Sequence, residues 1–330
     1  MSLDISFIGI LIGSIMASSV PLILAASGEL ITERSGVLNL GVEGMMIIGA
    51  ISGFALMVIT DNLFIAIIGS MLSGVVISLI FGFLTQSLLT NHVATGLALT
   101  IFGIGLSAML GKNFVGIPGK DFPILFSSLR ESIPFFGPIL FGHSIILYFA
   151  FVLPFLTSYF LKKTKLGLIV RAVGDSPVSA SNQGINVILV RYCCILYGGG
   201  MCGLAGAYLS LIYTPQWIEN MTAGRGWIAL ALVVFATWSP IKVLIGAIIF
   251  GGISILQLHM QAVGFRIPVQ FLIALPYLMT IIVLVVISRD SRKIKLNTPT
   301  SLGRIFYKDC LLYTSPSPRD RISSRMPSSA

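Results

Sequence analysis

Charge is scarce in this chain: only 10% of its 330 residues are Asp, Glu, Lys or Arg, against about a quarter in soluble domains. A water-soluble globule is thereby excluded, and 55% hydrophobic residues with a mean hydropathy of +0.97 point to a bilayer. Histidine is rarer still. His92, His143 and His259 fall on separate segments without an H-E-x-x-H pairing, so no metal site is expected. The cysteines Cys193, Cys194, Cys202 and Cys310 contain no C-x-x-C pair, and the first three share one apolar stretch, where a small polarizable residue serves packing. A GxxxxGK[ST] loop for nucleotide phosphates is missing, and the GIPGK string at 116–120 has the wrong spacing. Convergent Asp, His or Ser clusters of a membrane-embedded enzyme are missing too. No catalytic residue and no bound cofactor are therefore expected.

The formal net charge of +9 is concentrated at one end. Beyond residue 290 stand Arg292, Lys293, Lys295, Arg304, Lys308, Arg319, Arg321 and Arg325, opposed only by Asp309 and Asp320. A basic folded face interleaved with aromatics, as nucleic-acid binding requires, does not occur. Residues 310–330 turn abruptly to Ser, Pro and Arg. Such a composition predicts disorder, and it is similar to translated adapter read-through, so it is set outside functional reasoning.

What the chain has in abundance is apolar runs. A hydrocarbon core of about 30 Å needs about 20 apolar helical residues, and about nine runs approach that length. They lie at 6–26, 37–60, 63–85, 92–110, 139–161, 189–213, 226–238, 240–262 and 268–288. The fold class expected is all-α, a polytopic membrane helix bundle of about nine transmembrane helices, within a range of eight to ten. The first run lacks a charged n-region and an A-x-A-like site, so it reads as a membrane helix and not a cleaved signal. The seventh is short, and the second is interrupted by Asn39, Glu43 and Gly44, so either reads equally as a half-helix or re-entrant piece. Lys162, Lys163, Lys165 and Arg171 mark one cytoplasmic loop, and Arg289, Arg292, Lys293 and Lys295 mark another. The loop at 111–138 and the amino terminus then fall outside. The domains expected are a permease body over 1–290, a cytoplasmic loop at about 162–190, a basic tail over 291–309 and the extension at 310–330.

Within the loop, Asp175 or Ser176 can cap a helix, Pro177 suits its first turn and Gly184 its stop. A helix of about seven residues results, with Ala180 and Ser181 expected on its surface, where another protein can approach closely. A solvated connector fits these local signals equally well. Asn39 and Glu43, four residues apart, are expected on one helix face. An intramembrane carboxylate is expensive and marks a translocation pathway by default. A structural alternative has Glu43 hydrogen-bonded to backbone amides near Gly41 and Gly44. GGGMCG at 198–203 fits a dinucleotide loop by spacing, but no strand precedes it, so Gly199, Gly203 and Ala207 read as a close-packing helix face. Trp217, Trp227 and Trp238 fall near run ends as interfacial aromatics do. Trp217 and Arg225 occupy an outer loop that reads either as a docking surface for a binding protein or as a simple anchor.

Three strings carry a family resemblance. GLIVRAVGDSPVSASNQGINV at 167–187 resembles the cytoplasmic coupling segment of ABC importer permeases of the branched-chain amino acid, simple sugar and nucleoside group. ERSGVLNLGVEGMMIIGA at 33–50 resembles that group's amino-terminal signature, closest to the nucleoside-type branch. GRGWIALALVVFATWSP at 224–240 resembles its later signature, although Ala236 and Thr237 stand where the family more often has Gly-x before the Trp. The resemblance implies a permease that translocates nucleosides or simple sugars. It also implies partner ABC ATPase subunits that bind ATP, a second and distinct permease subunit, and an extracytoplasmic solute-binding lipoprotein. Arg171, Gly174, Asp175, Pro177, Ala180 and Gly184 would carry coupling to the ATPase, and Asn39 and Glu43 would line the pathway. The alternative is an ion-gradient-driven secondary transporter of small polar solutes. It would be expected to show several intramembrane charges for coupling, where the apolar runs contain a single carboxylate, Glu43.

Overall fold

The computed structural model describes residues 5–120, 122–125, 136–262 and 297–307, with isolated positions between 270 and 285. Among these residues the secondary structure is helical, and β-pairing is limited to isolated bridges such as Val115 with Trp217. The helices are α1 (Ile5–Arg34), α2 (Val42–Thr60), α3 (Leu63–Gly82), α4 (His92–Gly111), α5 (Phe136–Leu140) and α6 (Ile145–Lys163). They continue with α7 (Lys165–Asp175), α8 (Pro177–Asn182), α9 (Val187–Tyr208), α10 (Arg225–Phe235) and α11 (Pro240–Ala262). Side chains accept the free amides of first turns, from Asn62 at α3, Asn91 at α4 and Asn186 at α9. π-Turns prolong α3 through Ser87 and α9 through Tyr213.

Seven of these helices are long and apolar enough to cross a bilayer, so the described residues do not reach the expected nine. The run at 226–238 is the 11-residue α10. At 1.5 Å per residue it measures about 16 Å, half a hydrocarbon core. The last expected run, 268–288, lies largely outside the described residues. The first run is longer than expected, because α1 carries on through Glu29 and Glu33 to Arg34. Both carboxylates are buried and each accepts a hydrogen bond, from the Asn39 amide and the Trp238 indole, which lets the helix continue past its apolar part. Residues 35–41 are then a turn inside the bundle, and α2 starts only at Val42.

Helix α9 occupies the centre, packed against α1, α2 and α3. A Cβ on Gly203 would strike the Ser70 carbonyl of α3, and one on Gly206 the Met46 carbonyl of α2. Backbones this close require the small residues of the 198–207 string, the means by which helices associate in lipid. Ser210 locks the same contact by donating to the Ala50 carbonyl at 2.8 Å. The bundle thus has a basic end, with Arg34, Lys162, Lys163, Arg171 and Lys242, and an opposite end where Lys120 pairs with Asp61.

Candidate functional site

At the basic end the expected helix exists as α8. Ser176 accepts the Ser179 amide at 3.3 Å, Pro177 opens the first turn, and Gly184 adopts a left-handed φ of 82°. Before it lies the amphipathic α7, started by Thr164, whose hydroxyl accepts the Gly167 amide at 3.0 Å. Gly174, near the end of α7, lies against the end of α1 so closely that a Cβ would meet the Arg34 carbonyl. Asp175 is exposed, and Arg171 is half-buried beside Arg34. Ala180 departs from expectation, being only 3% exposed. It packs with Val173, Val187 and Phe306, so the exposed face of α8 is Val178, Ser179, Asn182 and Gln183.

The segment at 297–307 fastens this assembly. The Ser301 amide and hydroxyl both donate to the Gly174 carbonyl, at 3.0 and 2.6 Å, and Thr300 donates to the Asp175 carbonyl. The Gly303 amide donates to Gly36 at 3.0 Å. Arg191, fully buried, donates to the carbonyls of Ser35 and Arg304, each at 3.3 Å, and to Gln86 at 3.4 Å. The end of α1, the α7–α8 corner and the basic tail are therefore one hydrogen-bonded unit.

Deeper in the bundle, Glu43 sits in the first turn of α2 and is 2% exposed. Its Oε1 accepts from the Thr222 hydroxyl at 2.5 Å and the Gly224 amide at 2.9 Å, and its Oε2 accepts from the Gly226 amide at 2.6 Å. The amides it serves belong to the start of α10, not to the neighbourhood of Gly41 and Gly44. An anion at a helix N-terminus satisfies free donors and the helix dipole together. Asn39 does not share a helix face with Glu43, because it lies in the turn before α2. Its own side chain accepts the Gly41 amide at 2.9 Å, and its amide donates to Glu29 at 3.2 Å.

The loop at 214–224 returns from the opposite end into the bundle to reach Glu43. Trp217 is 1% exposed, bridged to Val115 and packed on Gly111, which removes its ring from any docking surface. Arg225 is half-buried, its guanidinium 5.1 Å from the Tyr213 ring centroid. Beside it a cavity of about 660 Å³ opens at the opposite end, lined by Phe122, His143, Ser144, Tyr208 and Tyr213 among others. Ser144 is 6% exposed and its hydroxyl has no partner among the described residues.

Seven long apolar helices, two chain reversals inside the bundle and a hydrogen-bonded corner at the basic end describe a multi-pass membrane protein. Residues 11–287 match the family described as the branched-chain amino acid transport system / permease component. The chain belongs to that family. The permease is 36% identical over 292 residues to the putative glucose ABC transporter permease protein TsgC13 of Haloferax volcanii, covering 82% of this chain and 88% of that protein. It is 30% identical over 289 residues to the nucleoside ABC transporter permease protein NupC of Lactococcus lactis, covering 83% and 91%. It is also 30% identical over 302 residues to the guanosine ABC transporter permease protein NupQ of Bacillus subtilis, covering 85% and 92%. These relatives are transport permeases and not enzymes.

Sequence reasoning missed Glu29, Glu33, Arg191 and the 299–306 segment of the permease. A signal for the first two was present: they stand four apart, one helical turn, with Glu33 opening the ERSGVLNLG string. Arg191 stood out as a charge inside the run at 189–213, but no signal marked the tail, whose partners are far away in the chain.

Proposed function

We infer that the permease is the membrane subunit of an ATP-driven importer in the cytoplasmic membrane, carrying nucleosides or simple sugars. The relatives named for glucose, nucleoside and guanosine transport support this substrate class. The lined cavity at the opposite end agrees with it: Phe122, Tyr208 and Tyr213 offer flat faces, and Ser144 and His143 offer polar edges, to a neutral solute with a ring and hydroxyls. The chain holds no nucleotide loop, so energy enters from partner ATPase subunits. The observation that carries the coupling role is the Gly174 contact with the end of α1. A push on the exposed face of α8 reaches α1 through backbone against backbone, with no side chain between to absorb it. Arg171 and Asp175 supply charge-assisted contacts to the ATPase surface. A second permease and an extracytoplasmic binding lipoprotein complete the assembly, the latter docking on exposed residues of 215–223 such as Ile218 and Glu219. The basic end is cytoplasmic and the amino terminus lies outside.

The ion-driven alternative gains one observation, since Glu29 and Glu33 join Glu43 as buried carboxylates. Each, however, accepts a hydrogen bond from a fixed group, the Asn39 amide, the Trp238 indole and the α10 amides. They are anchors of turns and not stations on a proton path. Uptake of labelled nucleosides and sugars by proteoliposomes holding the whole complex tests the reading. ATP-dependent uptake that survives a protonophore is expected; uptake that follows the ion gradient and ignores ATP would overturn it.

A further inference from the structure

The basic end holds a second cavity, separate from the α8 face. It encloses about 460 Å³ between the ends of α1, α6 and α7 and the start of α11. Arg34, Lys162, Arg171 and Lys242 line it, with Asp175 as the opposing charge. No carboxylate stands within 4 Å of any of these four cations among the described residues. Among the described residues the Nε atoms of Arg34 and Arg171 are buried without hydrogen-bond partners, a costly state for charged donors.

The cavity floor is built, not accidental. Thr237 and Trp238 adopt left-handed φ values of 49° and 51°, a backbone state disfavoured for side chains of these types. Three contacts hold them there: Arg34 donates to the Trp238 carbonyl at 3.0 Å, Lys242 to the Thr237 hydroxyl at 3.0 Å, and the Trp238 indole to Glu33 at 2.5 Å. The turn brings Ser239 and the first residue of α11, Pro240, to the cavity wall. The start of a 23-residue helix adds its partial positive charge to the four cations.

We propose that this cavity is a binding site for a phosphate-bearing anion, taken from the cytoplasmic side. Two guanidinium forks and two ammonium groups suit the three oxygens and double charge of a phosphate monoester better than a single carboxylate. The volume admits such a phosphate with a small organic group attached. A phosphorylated soluble compound offers that full set, and the phosphodiester headgroup of an anionic phospholipid offers part of it, two free phosphate oxygens and one charge. The site rests on the basic end alone and stands whichever solute the permease carries.

The test uses the full chain, purified in detergent with the subunits that accompany it and stripped of lipid. Its unfolding midpoint is followed against glucose 6-phosphate, inorganic phosphate and, as a control at matched ionic strength, glucose with chloride. The phosphates raise the midpoint and glucose does not. In Lys162→Gln/Lys242→Gln the apparent affinity falls about tenfold or more, as the loss of charge-assisted bonds requires. In a second arm, native mass spectrometry compares retention of phosphatidylglycerol and phosphatidylcholine. Phosphatidylglycerol retained by the wild type, lost by the double variant and not displaced by glucose 6-phosphate assigns the site to lipid, and displacement assigns it to the soluble compound. A wild-type protein indifferent to both phosphates and to phosphatidylglycerol, or a double variant that binds them as tightly, overturns the proposal.

Discussion

The Glu43 carboxylate accepts the Gly226 amide at 2.6 Å, joining residues 183 positions apart in the chain. A Cβ on Gly226 would lie within 2.7 Å of the Glu43 Cα, amide nitrogen and Oε2, so the helix start and the carboxylate cannot both stay in place with any larger residue. Gly226→Ala is expected to lower stability by about 2–4 kcal/mol, the range for losing charge-assisted bonds in a packed site. Glu43→Gln should fail similarly, because its amide would face an N–H donor where the carboxylate had an acceptor. Unfolding midpoints and uptake measured side by side check both. Wild-type values for Glu43→Gln would mean that the start of α10 does not depend on the carboxylate.

The contact of Gly174 with the Arg34 carbonyl sets up a sharper result than stability alone. Gly174→Ala is expected to separate the two activities of the complex: ATP hydrolysis continues while uptake falls at least about tenfold, since the α7–α8 corner no longer seats on α1. Asp175→Lys reverses an exposed charge and should reduce hydrolysis stimulation as well. Normal membrane levels of both variants are part of the expectation. Unchanged uptake per hydrolysed ATP in Gly174→Ala would remove the lever from the mechanism.

Length and hydropathy made most of the helices legible, because a bilayer demands about 20 apolar residues whatever the neighbours are. Where they failed, a distant partner had intervened. Helix α1 outlasts its apolar run because the Asn39 amide and Trp238 indole satisfy Glu29 and Glu33. Ser176, Pro177 and Gly184 announced α8 through local chemistry alone. Local chemistry could not tell that Phe306 covers Ala180, or that Gly111 and Val115 enclose Trp217. Glu43 was visible as an expensive residue, but its donors at Thr222, Gly224 and Gly226 were invisible without the return of the 214–224 loop.

Trp238→Phe tests the buried Glu33 bond. The ring volume nearly survives, but the indole donor at 2.5 Å is lost and Glu33 is left buried without its described donor. A cost of about 1–3 kcal/mol follows from leaving such a group unpaired. Denaturant unfolding should show it, and the double variant Trp238→Phe/Glu33→Gln should recover part of the loss, because a neutral amide is cheaper to bury than a carboxylate. A double variant no better than the single would refute the assignment of that cost to Glu33.

The tail segment makes the last prediction. Phe306 is 8% exposed in a small cluster with Val173, Ala180 and Val187, while Ser301 and Gly303 bond the backbones of Gly174 and Gly36. Truncating a buried phenylalanine costs about 3–5 kcal/mol in a well-packed core. A cluster of this size at a protein edge collapses more readily, so about 2 kcal/mol is expected for Phe306→Ala. That loss falls on local docking and not on the bundle, whose core is made by α1, α2, α3 and α9. Global unfolding should therefore move little. Protease cleavage at Lys165 and Arg171 should speed up, and uptake per hydrolysed ATP should fall, because α8 keeps its own caps but loses the strap that ties it to α1. A variant that loses bundle stability and keeps its protease resistance at those two sites would show instead that the tail serves the fold and not the corner.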